Sequence, residues 1–477
     1  MACGKCVCLS CSESREGAPP PMNCSFLHFG MELCSNCSLY VVSSPYRYST
    51  SGTPTVTYDS EFDAESGVFK LTLSQTSNSE KQLHIPVSIG LIDKVTGEEV
   101  VPTSVLELKE SKQTFEFSGL KNDVVPSILR GFSAPVKLVP SSGEIDEETL
   151  AFLAARDTDG FNRWEAGQRL FTSLVFQQLE GEMSETTANY VYEAFERTLA
   201  DSSMDSSIKA YALILPSEST LAEGLSGAVD PIALHKSRGE VRVAIARKFQ
   251  AELASAYESL TEEMAGKEFS VDAESVGKRR LRNTIMGYLT SIKESADEQK
   301  AAAEVATSHY NNATGMTDKM SALNALASMD GEGASARDEI LQKFYDDANG
   351  DALVLNKWFS VQALADLPDV LDRVKALVKH PDFTLSNPNR CRSLISAFTM
   401  NSAAFHAEDG EGYKFIASSI VDLDQLNPQI SSRMGTSLIQ WRKYGEERAN
   451  MMKTELKKLS GMKLSDDLFE VVNRGLK

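Results

Sequence analysis

Hydrophobic and polar residues alternate with a period of two between residues 47 and 140. Residues 68–73 and 84–91 show the alternation most clearly, with an apolar side chain at every second position. Such alternation is typical of a strand that buries one face. Residues that favour turns separate the runs, at 63–67, 93–97 and 121–123. The pattern predicts a small antiparallel β-sandwich of about a hundred residues.

From residue 145 onward the period changes to that of an α-helix. One helix start is clear: Asn387 is placed to cap, and Pro388 suits the first helical position because its missing N–H needs no partner there. The apolar positions that follow recur at i, i+3, i+4 and i+7, and they are Cys391, Leu394, Ile395 and Phe398. A second helix start is expected at Thr317 or Asp318, either of which can cap. Roughly fifteen short helical segments with short loops predict an α-solenoid of stacked hairpins.

The change of period divides the chain into three predicted segments. Residues 1–45 are Cys-rich, residues 46–140 are expected to form an Ig-like β-sandwich, and residues 145–477 an α-helical solenoid. The predicted fold class is therefore multi-domain β plus α: a small antiparallel β-sandwich followed by an all-α superhelical solenoid.

Seven of the eight cysteines lie in residues 1–45, and they include three Cys-x-x-Cys pairs. One interpretation is a small zinc site in which Cys8, Cys11, Cys34 and Cys37 supply four thiolates. The other is a disordered or artefactual segment, which the scarcity of apolar residues favours, because a metal needs some core around it. No basic region precedes a long apolar run, so a secretory signal is not expected.

Charge and hydropathy narrow the classes of partner. The chain has 48 lysines and arginines against 67 acidic residues, which gives a net charge of −19. Nucleic acid and anionic membranes bind cationic surfaces, so neither is expected as a partner. No apolar run reaches the roughly 18 residues of a membrane span. The expected compartment is the cytoplasm, or alternatively the interior of an organelle.

Residues 387–415, with their capped helix and two arginines flanking its apolar face, resemble the C-terminal domain of the M1 zinc metallopeptidases of the aminopeptidase N (bacterial-type alanyl aminopeptidase) type. Other segments are similar to that family in the same order: RYSTSGTPTVT, KQLHIPVSIGLID, FSAPVKL, FNRWEAGQ, NNATGMTDKMSAL, NKWFSVQA and LNPQISSRM. The resemblance covers roughly residues 46–477. It implies the family's small β-sandwich and its helical C-terminal domain.

The family's catalytic motifs do not occur in this sequence. Its chemistry needs His-Glu-x-x-His on one helix, where two imidazoles bind zinc and the glutamate acts as general base. No two of the six histidines are four residues apart, and Gly-x-Met-Glu-Asn is also absent. The resemblance therefore implies the C-terminal half of such an enzyme, inactive alone and binding no cofactor itself. Zinc would be held by the missing N-terminal and catalytic domains of the complete enzyme.

The resemblance also implies roles for three arginines. In the family, the positions that match Arg392 and Arg433 lie on the inner wall of the solenoid, where they can meet the backbone or C-terminal carboxylate of a peptide substrate. A guanidinium group is a planar, permanently charged fork that suits a carboxylate. Arg390 has a weaker claim as a substrate-binding residue and is alternatively a cap or brace of the helical hairpin. Cys391 is expected to be buried and inert, and His406 is not expected to bind a metal.

Two functions from different classes follow. The first is the C-terminal part of an M1 aminopeptidase, which would cap the active-site cavity and orient peptides. The second is a free-standing, non-catalytic module that binds peptides or proteins on its concave face. The first predicts an exposed apolar patch on the sandwich and the first helices, which an independent module would have replaced by polar residues. A third, weaker interpretation makes the Cys-rich segment a zinc-binding adaptor.

Overall fold

The computed structural model describes residues 52–78 and 82–477 of the 477-residue chain. The predicted Cys-rich segment, with Cys8, Cys11, Cys34 and Cys37, lies outside the described residues, so its zinc site remains a prediction. Residues 52–477 form one compact unit. In the part of the chain that the structure describes, no helix is long and apolar enough to cross a membrane.

Seven strands form two packed sheets at the N-terminal end of this unit. Their order is β5-β2-β1-β7 in one sheet and β4-β3-β6 in the other. Neighbouring strands are antiparallel, except that β7 pairs with β1 in parallel. The strands are β1 (Thr55–Asp63), β2 (Val68–Thr76), β3 (Ile85–Asp93), β4 (Glu99–Leu108), β5 (Lys112–Ser118), β6 (Val124–Ile128) and β7 (Lys137–Pro140).

Strand β3 is more deeply buried than its alternation predicts. All nine of its residues are buried. One face carries its alternate apolar side chains into the sandwich core. On the other face, Ile92 packs in a helical core and Gly90 lies against the Arg130 guanidinium. A strand between a sheet and helices is covered on both sides, which the sequence pattern alone did not reveal.

A buried arginine holds the sandwich to the first helices. Arg130, 3% exposed, lies in the 3₁₀ turn Arg130–Phe132. Its guanidinium donates to Glu99 Oε2 at 2.5 Å, to Asp157 Oδ1 at 3.0 Å and to Ser127 Oγ at 2.8 Å. A Cβ at Gly90 would overlap this guanidinium, so the glycine makes the space that the arginine fills. The cation thus pairs with the buried Asp157 and the partly exposed Glu99 instead of with water.

Helices make up the rest of the described chain, as the change of period predicts. The first eight are α1 (Glu147–Arg156), α2 (Gly160–Glu180), α3 (Glu185–Ala200), α4 (Ser206–Leu213), α5 (Glu218–Gly224), α6 (Pro231–Lys248), α7 (Gln250–Met264) and α8 (Ala273–Leu289). The others are α9 (Ala296–Asn311), α10 (Met316–Ala327), α11 (Ala334–Ala348), α12 (Ala352–Ala363), α13 (Val370–Leu377), α14 (Pro388–Cys391), α15 (Ser402–Phe405), α16 (Glu411–Asp424), α17 (Pro428–Gly435), α18 (Glu446–Ser460) and α19 (Asp466–Leu476). The predicted fold class is confirmed.

The predicted cap at Thr317 or Asp318 is wrong. Helix α10 begins at Met316 with Gly315 as its N-cap and no side-chain cap bond. Asp318 is fully buried and accepts a hydrogen bond from Arg282 Nη2 at 2.8 Å. An unpaired buried carboxylate costs more free energy than an uncapped helix end. Asp318 therefore pairs with the distant Arg282 instead of capping its own helix.

The helices build two hydrophobic cores, and one partly buried residue packs against both. The first core draws its buried side chains from residues 150–292 together with Ile92 and Val125 of the sandwich, and the second from residues 303–472. Tyr444 packs against both. Beside it, the backbone N–H of Val229 donates to the carbonyl of Lys443 at 2.8 Å, and Val229 and Tyr444 form a parallel bridge.

Arg130→Met should lower the stability of the chain strongly, because the buried Asp157 and the partly exposed Glu99 would lose their cation. Breaking a buried pair by removing one partner lowers the free energy of unfolding by about 3–5 kcal/mol. Urea unfolding followed by circular dichroism measures the change.

Arg247→Met is the matched control, since Arg247 pairs with Glu294 and Glu298 on the surface. Exposed pairs add little to stability, so this variant should unfold close to the parent midpoint. A loss for Arg130→Met no larger than that of the control would contradict its role at the junction.

Candidate functional site

Helices α12, α14 and α17 enclose a groove in the second helical core region. Its volume is about 930 Å³. Arg392 and Arg433 both line it, and both side chains are exposed. The structure therefore brings together the two arginines that the sequence places on different helices.

The helix that carries Arg392 starts as predicted. The Asn387 side chain accepts from the N–H groups of Asn389 and Arg390 at 3.0 and 3.2 Å, and Pro388 occupies the first helical turn. The predicted apolar face is confirmed, since its four side chains are at most 1% exposed. Among them, burial raises the pKa of the Cys391 thiol to about 11, as expected of an inert cysteine.

A π-helical turn, Arg392–Ser396, follows α14 directly. The wider turn places Ser393 inward, where its carbonyl accepts from Ser360 Oγ at 2.8 Å. Arg392 stays outside, and its Nη1 donates to Asn389 Oδ1 at 3.2 Å. Single π turns inside helices occur often at functional sites, and nothing in the local sequence distinguished this one from an α-turn.

Arg433 is positioned by a second capped helix. Asn427 accepts from the N–H of Ile430 at 3.2 Å, and a proline begins α17. Ile430 and Met434 are buried, so Arg433 lies at the edge of an apolar face, as the sequence predicted. Within the described residues, neither Arg392 nor Arg433 forms an ion pair.

Arg390 behaves differently from the other two arginines. It is 6% exposed and does not line the groove. Its Nη1 donates to Asn356 Oδ1 at 2.9 Å, and its guanidinium carbon lies 5.1 Å from the centre of the Phe359 ring. This geometry favours the interpretation of Arg390 as a brace between α12 and α14. Since Asn356 does line the groove, Arg390 orients a groove side chain from behind.

His406 and Tyr444 form part of the groove lining, with their rings 4.4 Å apart. His406 is 5% exposed, and its Nδ1 lies 2.8 Å from the Tyr413 hydroxyl. Burial, together with the Arg448 guanidinium, lowers the pKa of His406 to about 3, so the imidazole is neutral at pH 7. In the described ranges, no group of three His, Cys, Asp or Glu side chains is arranged to hold a metal.

The lining of the groove carries no acidic side chain among the residues that the structure describes. With His406 neutral, its only charges are the two guanidinium groups. The remaining polar lining consists of hydroxyl and amide groups: Asn356, Ser360, Asn389, Ser393, Ser396, Thr399, Thr436, Ser437 and Gln440. The site can therefore bind an anion or a peptide backbone.

A second surface lies where the sandwich meets the first helices. We call it the junction patch, and it consists of Phe132, Phe161, Trp164, Ile208, Tyr211 and Ile214. The Phe132 and Phe161 rings are 5.5 Å apart, and those of Phe161 and Trp164 are 5.6 Å apart. Phe132 is 49% exposed and Tyr211 51%. An exposed apolar patch of this kind marks an interaction surface.

The backbone of Phe132 supports that interpretation. Its φ is 53°, which is the left-handed region that a bulky residue avoids. Leu129, three residues before Phe132, also has a left-handed φ, of 63°. Strain of this kind persists only where neighbouring contacts hold it, and here Arg130 anchors the turn from the inside.

Two family models match the chain. The one described as domain of unknown function DUF3458, Ig-like fold, matches residues 52–141, and the one described as DUF3458_C, ARM repeats, matches residues 147–477. The second covers more than half of the chain. The chain belongs to the DUF3458_C family.

The DUF3458_C chain is similar to about half the length of several aminopeptidases. It is 36% identical over 468 residues to aminopeptidase N of Escherichia coli K12, covering 94% of the chain and 51% of the relative. Aminopeptidase N of Caulobacter vibrioides is 36% identical over 438 residues, covering 90% and 49%. The crystal structure of Legionella pneumophila aminopeptidase A in complex with aspartic acid matches with a TM-score of 0.73 and 28% identity, covering 89% of this chain and 49% of that one.

The predicted resemblance is thus confirmed: the DUF3458_C chain is homologous to the C-terminal region of the M1 aminopeptidases of the aminopeptidase N type. The chain spans about half the length of the curated relatives it matches.

Arg390→Met is expected to destabilise the chain, because Asn356 Oδ1 loses a charged donor and the Phe359 ring loses its cation. Loss of a hydrogen bond to a charged group lowers the free energy of unfolding by about 1.5–3 kcal/mol. The midpoint of urea unfolding measures this loss. Arg392→Met is the matched control, and its exposed side chain should leave the midpoint unchanged. Equal losses in both variants would show that Arg390 is not a brace.

His406→Gln should weaken the pH dependence of stability in acid. Because the folded pKa of His406 is about 3, the unfolded state takes up its proton below pH 6.5 while the folded state does not. Stability is therefore lost as pH falls from 6.5 toward 3. Glutamine keeps a polar partner for the Tyr413 hydroxyl but cannot titrate. Urea midpoints across this pH window should fall less steeply in the variant, and parallel slopes would contradict the buried neutral imidazole.

Proposed function

We propose that this chain is the C-terminal part of an M1-type aminopeptidase, in which its helical superhelix caps the active-site cavity and its groove orients the peptide substrate. The observation that carries the proposal is the groove itself: Arg392 and Arg433 line one cavity, and neither has an ion-pair partner among the described residues. Homology to the C-terminal region of aminopeptidase N supports the same role.

The groove residues would act on the substrate by binding and orientation. A guanidinium group can hold a carboxylate through two parallel hydrogen bonds, or donate to the carbonyls of an extended backbone. Asn389 fixes the Arg392 guanidinium from one side. Arg390 would act as a positioning residue, since it holds the side chain of Asn356 toward the groove.

Zinc of the complete enzyme would be held outside the described residues. The described part of the chain offers no arrangement of three ligands, and the sequence contains no His-Glu-x-x-His. When bound in such enzymes, the metal activates water for attack on the peptide bond. We assign no step of that hydrolysis to this chain, and we expect the chain alone to be inactive.

The junction patch supports a missing partner within the same enzyme. We propose that the catalytic domain covers the junction patch, because the patch joins the sandwich and the first helices and holds an exposed, strained phenylalanine.

The alternative is a free-standing, non-catalytic peptide- or protein-binding module. Such a module would bind its ligand with the lining that the described residues supply. The junction patch counts against that alternative, because an independent module would expose polar residues there.

Antibody capture of the endogenous protein tests the proposal. We expect a species larger than 52.2 kDa, or a second chain captured with it, that releases N-terminal amino acids and loses this activity to a chelator. Capture of an inactive protein of 52.2 kDa alone would instead establish the independent module.

Substitutions in the junction patch test whether the catalytic domain binds there. Phe132→Ser with Tyr211→Ser should reduce the captured activity, because they remove two exposed aromatic contacts from the proposed interface. Val95→Ser is the matched variant, since Val95 is 77% exposed and lies outside the patch. Equal activities of the patch variant and the matched variant would show that the catalytic domain does not lie there.

A further inference from the structure

The charge of the groove is opposite to that of the chain. The chain has 67 acidic residues and a net charge of −19, yet the described lining holds two arginines and no carboxylate. Some arginines of the chain pair with acids, such as Arg163 with Asp201 and Arg282 with Asp318, and others, such as Arg474, are in no ion pair among the described residues. Arg392 and Arg433 have no such partner among the described residues, so their charges are available to a ligand.

The groove also offers apolar surface. Leu353, Leu364 and Met400 line it and are 70%, 44% and 75% exposed. Single exposed apolar side chains are ordinary, but three around one cavity form a patch that a ligand can cover. Phe405 and Met434 extend this surface into the buried lining. A fitting ligand therefore combines apolar side chains with negative charge.

The two guanidinium groups stand on different elements, the π-helical turn and α17. A C-terminal carboxylate that pairs with one of them leaves the other for a second anion. An acidic side chain along the same peptide satisfies the second. A lysine or arginine in the peptide would instead meet like charge, which is a means of excluding cationic peptides.

This inference rests on the proposed function. We infer that the groove selects extended peptides that carry an acidic side chain among apolar residues, with Arg392 and Arg433 as the specificity-determining residues. Charge complementarity in the groove would then make the enzyme select substrates by residues that follow the released N-terminal residue.

Fluorescence anisotropy with the purified full chain and labelled short peptides tests the selection. The peptides are amidated and differ only at one central position, which is Asp, Asn or Lys; a fourth peptide has Asn and a free C-terminus. The Asp peptide should bind on the order of tenfold tighter than its Asn twin, and the Lys peptide more weakly than either. The Asp preference should shrink at high salt, because exposed charges are screened.

Variants assign the preference to the groove. Arg392→Gln with Arg433→Gln should abolish the difference between the Asp and Asn peptides. Arg474→Gln is the matched control, since Arg474 is exposed and does not line the groove, and it should keep the full difference. Thr436→Trp places bulk on an exposed lining position and should weaken all of the peptides.

Three other results would overturn the inference. Equal affinity for the Asp and Asn peptides, both weakened by Thr436→Trp, would refute the selection while leaving the peptide-binding groove intact. Tight binding of only the peptide with a free C-terminus would assign the arginines to the terminal carboxylate instead. Absence of saturable binding, or affinities that Thr436→Trp does not change, would refute both the selection and the proposed peptide site.

Discussion

The course of the helical region depends on a contact between its C-terminal part and the loop before α6. Val229 and Tyr444 lie far apart in sequence, yet a backbone hydrogen bond of 2.8 Å joins Val229 to Lys443, and Tyr444 packs on both helical cores. Arg448 reinforces the contact through Asp230 at 3.4 Å and through the carbonyl of His406 at 3.0 Å. Closing so long a loop is unfavourable in entropy, but the penalty grows only slowly with length. Because Tyr444 and His406 also line the groove, the closure fixes one side of the site.

A second junction fixes the sandwich on the helices by charge instead of by backbone pairing. Arg130 fills the space above Gly90 and neutralises carboxylates from β4 and from the end of α1. A buried ion network of this kind adds little net stability over an apolar contact, but it is sensitive to the loss of any member. Such geometry favours one orientation of the two layers. The same 3₁₀ turn presents Phe132 outward in a strained conformation. The buried Arg130 and the exposed Phe132 of the junction patch therefore depend on the same short segment.

Much of the fold could be predicted from local pattern, whereas the decisive contacts could not. Alternation and helical period identified the strands and the helical region, and the cap at Asn387 followed from chemistry within four residues. The burial of β3 on both faces, the pairing of Asp318 with Arg282 and the neutral His406 depend on partners far away in the sequence. The positions of Arg392 and Arg433 at the edges of apolar faces could be read from periodicity. Their position in one groove depends on tertiary packing that the sequence does not show. No feature of the local sequence predicted the π-helical turn.

The opposition between the charge of the chain and that of the groove has a kinetic consequence. At long range, an anionic peptide meets a chain with a net charge of −19, which slows its approach at low salt. At contact, it meets two guanidinium groups and no carboxylate in the described lining. Steering by net charge acts on association rates, whereas directed hydrogen bonds to a charged group act on dissociation. Discrimination between acidic and neutral peptides would therefore reside in the lifetime of the complex. In the proposed enzyme, long-lived binding along this wall would keep a peptide in place during cleavage of the bond at its other end.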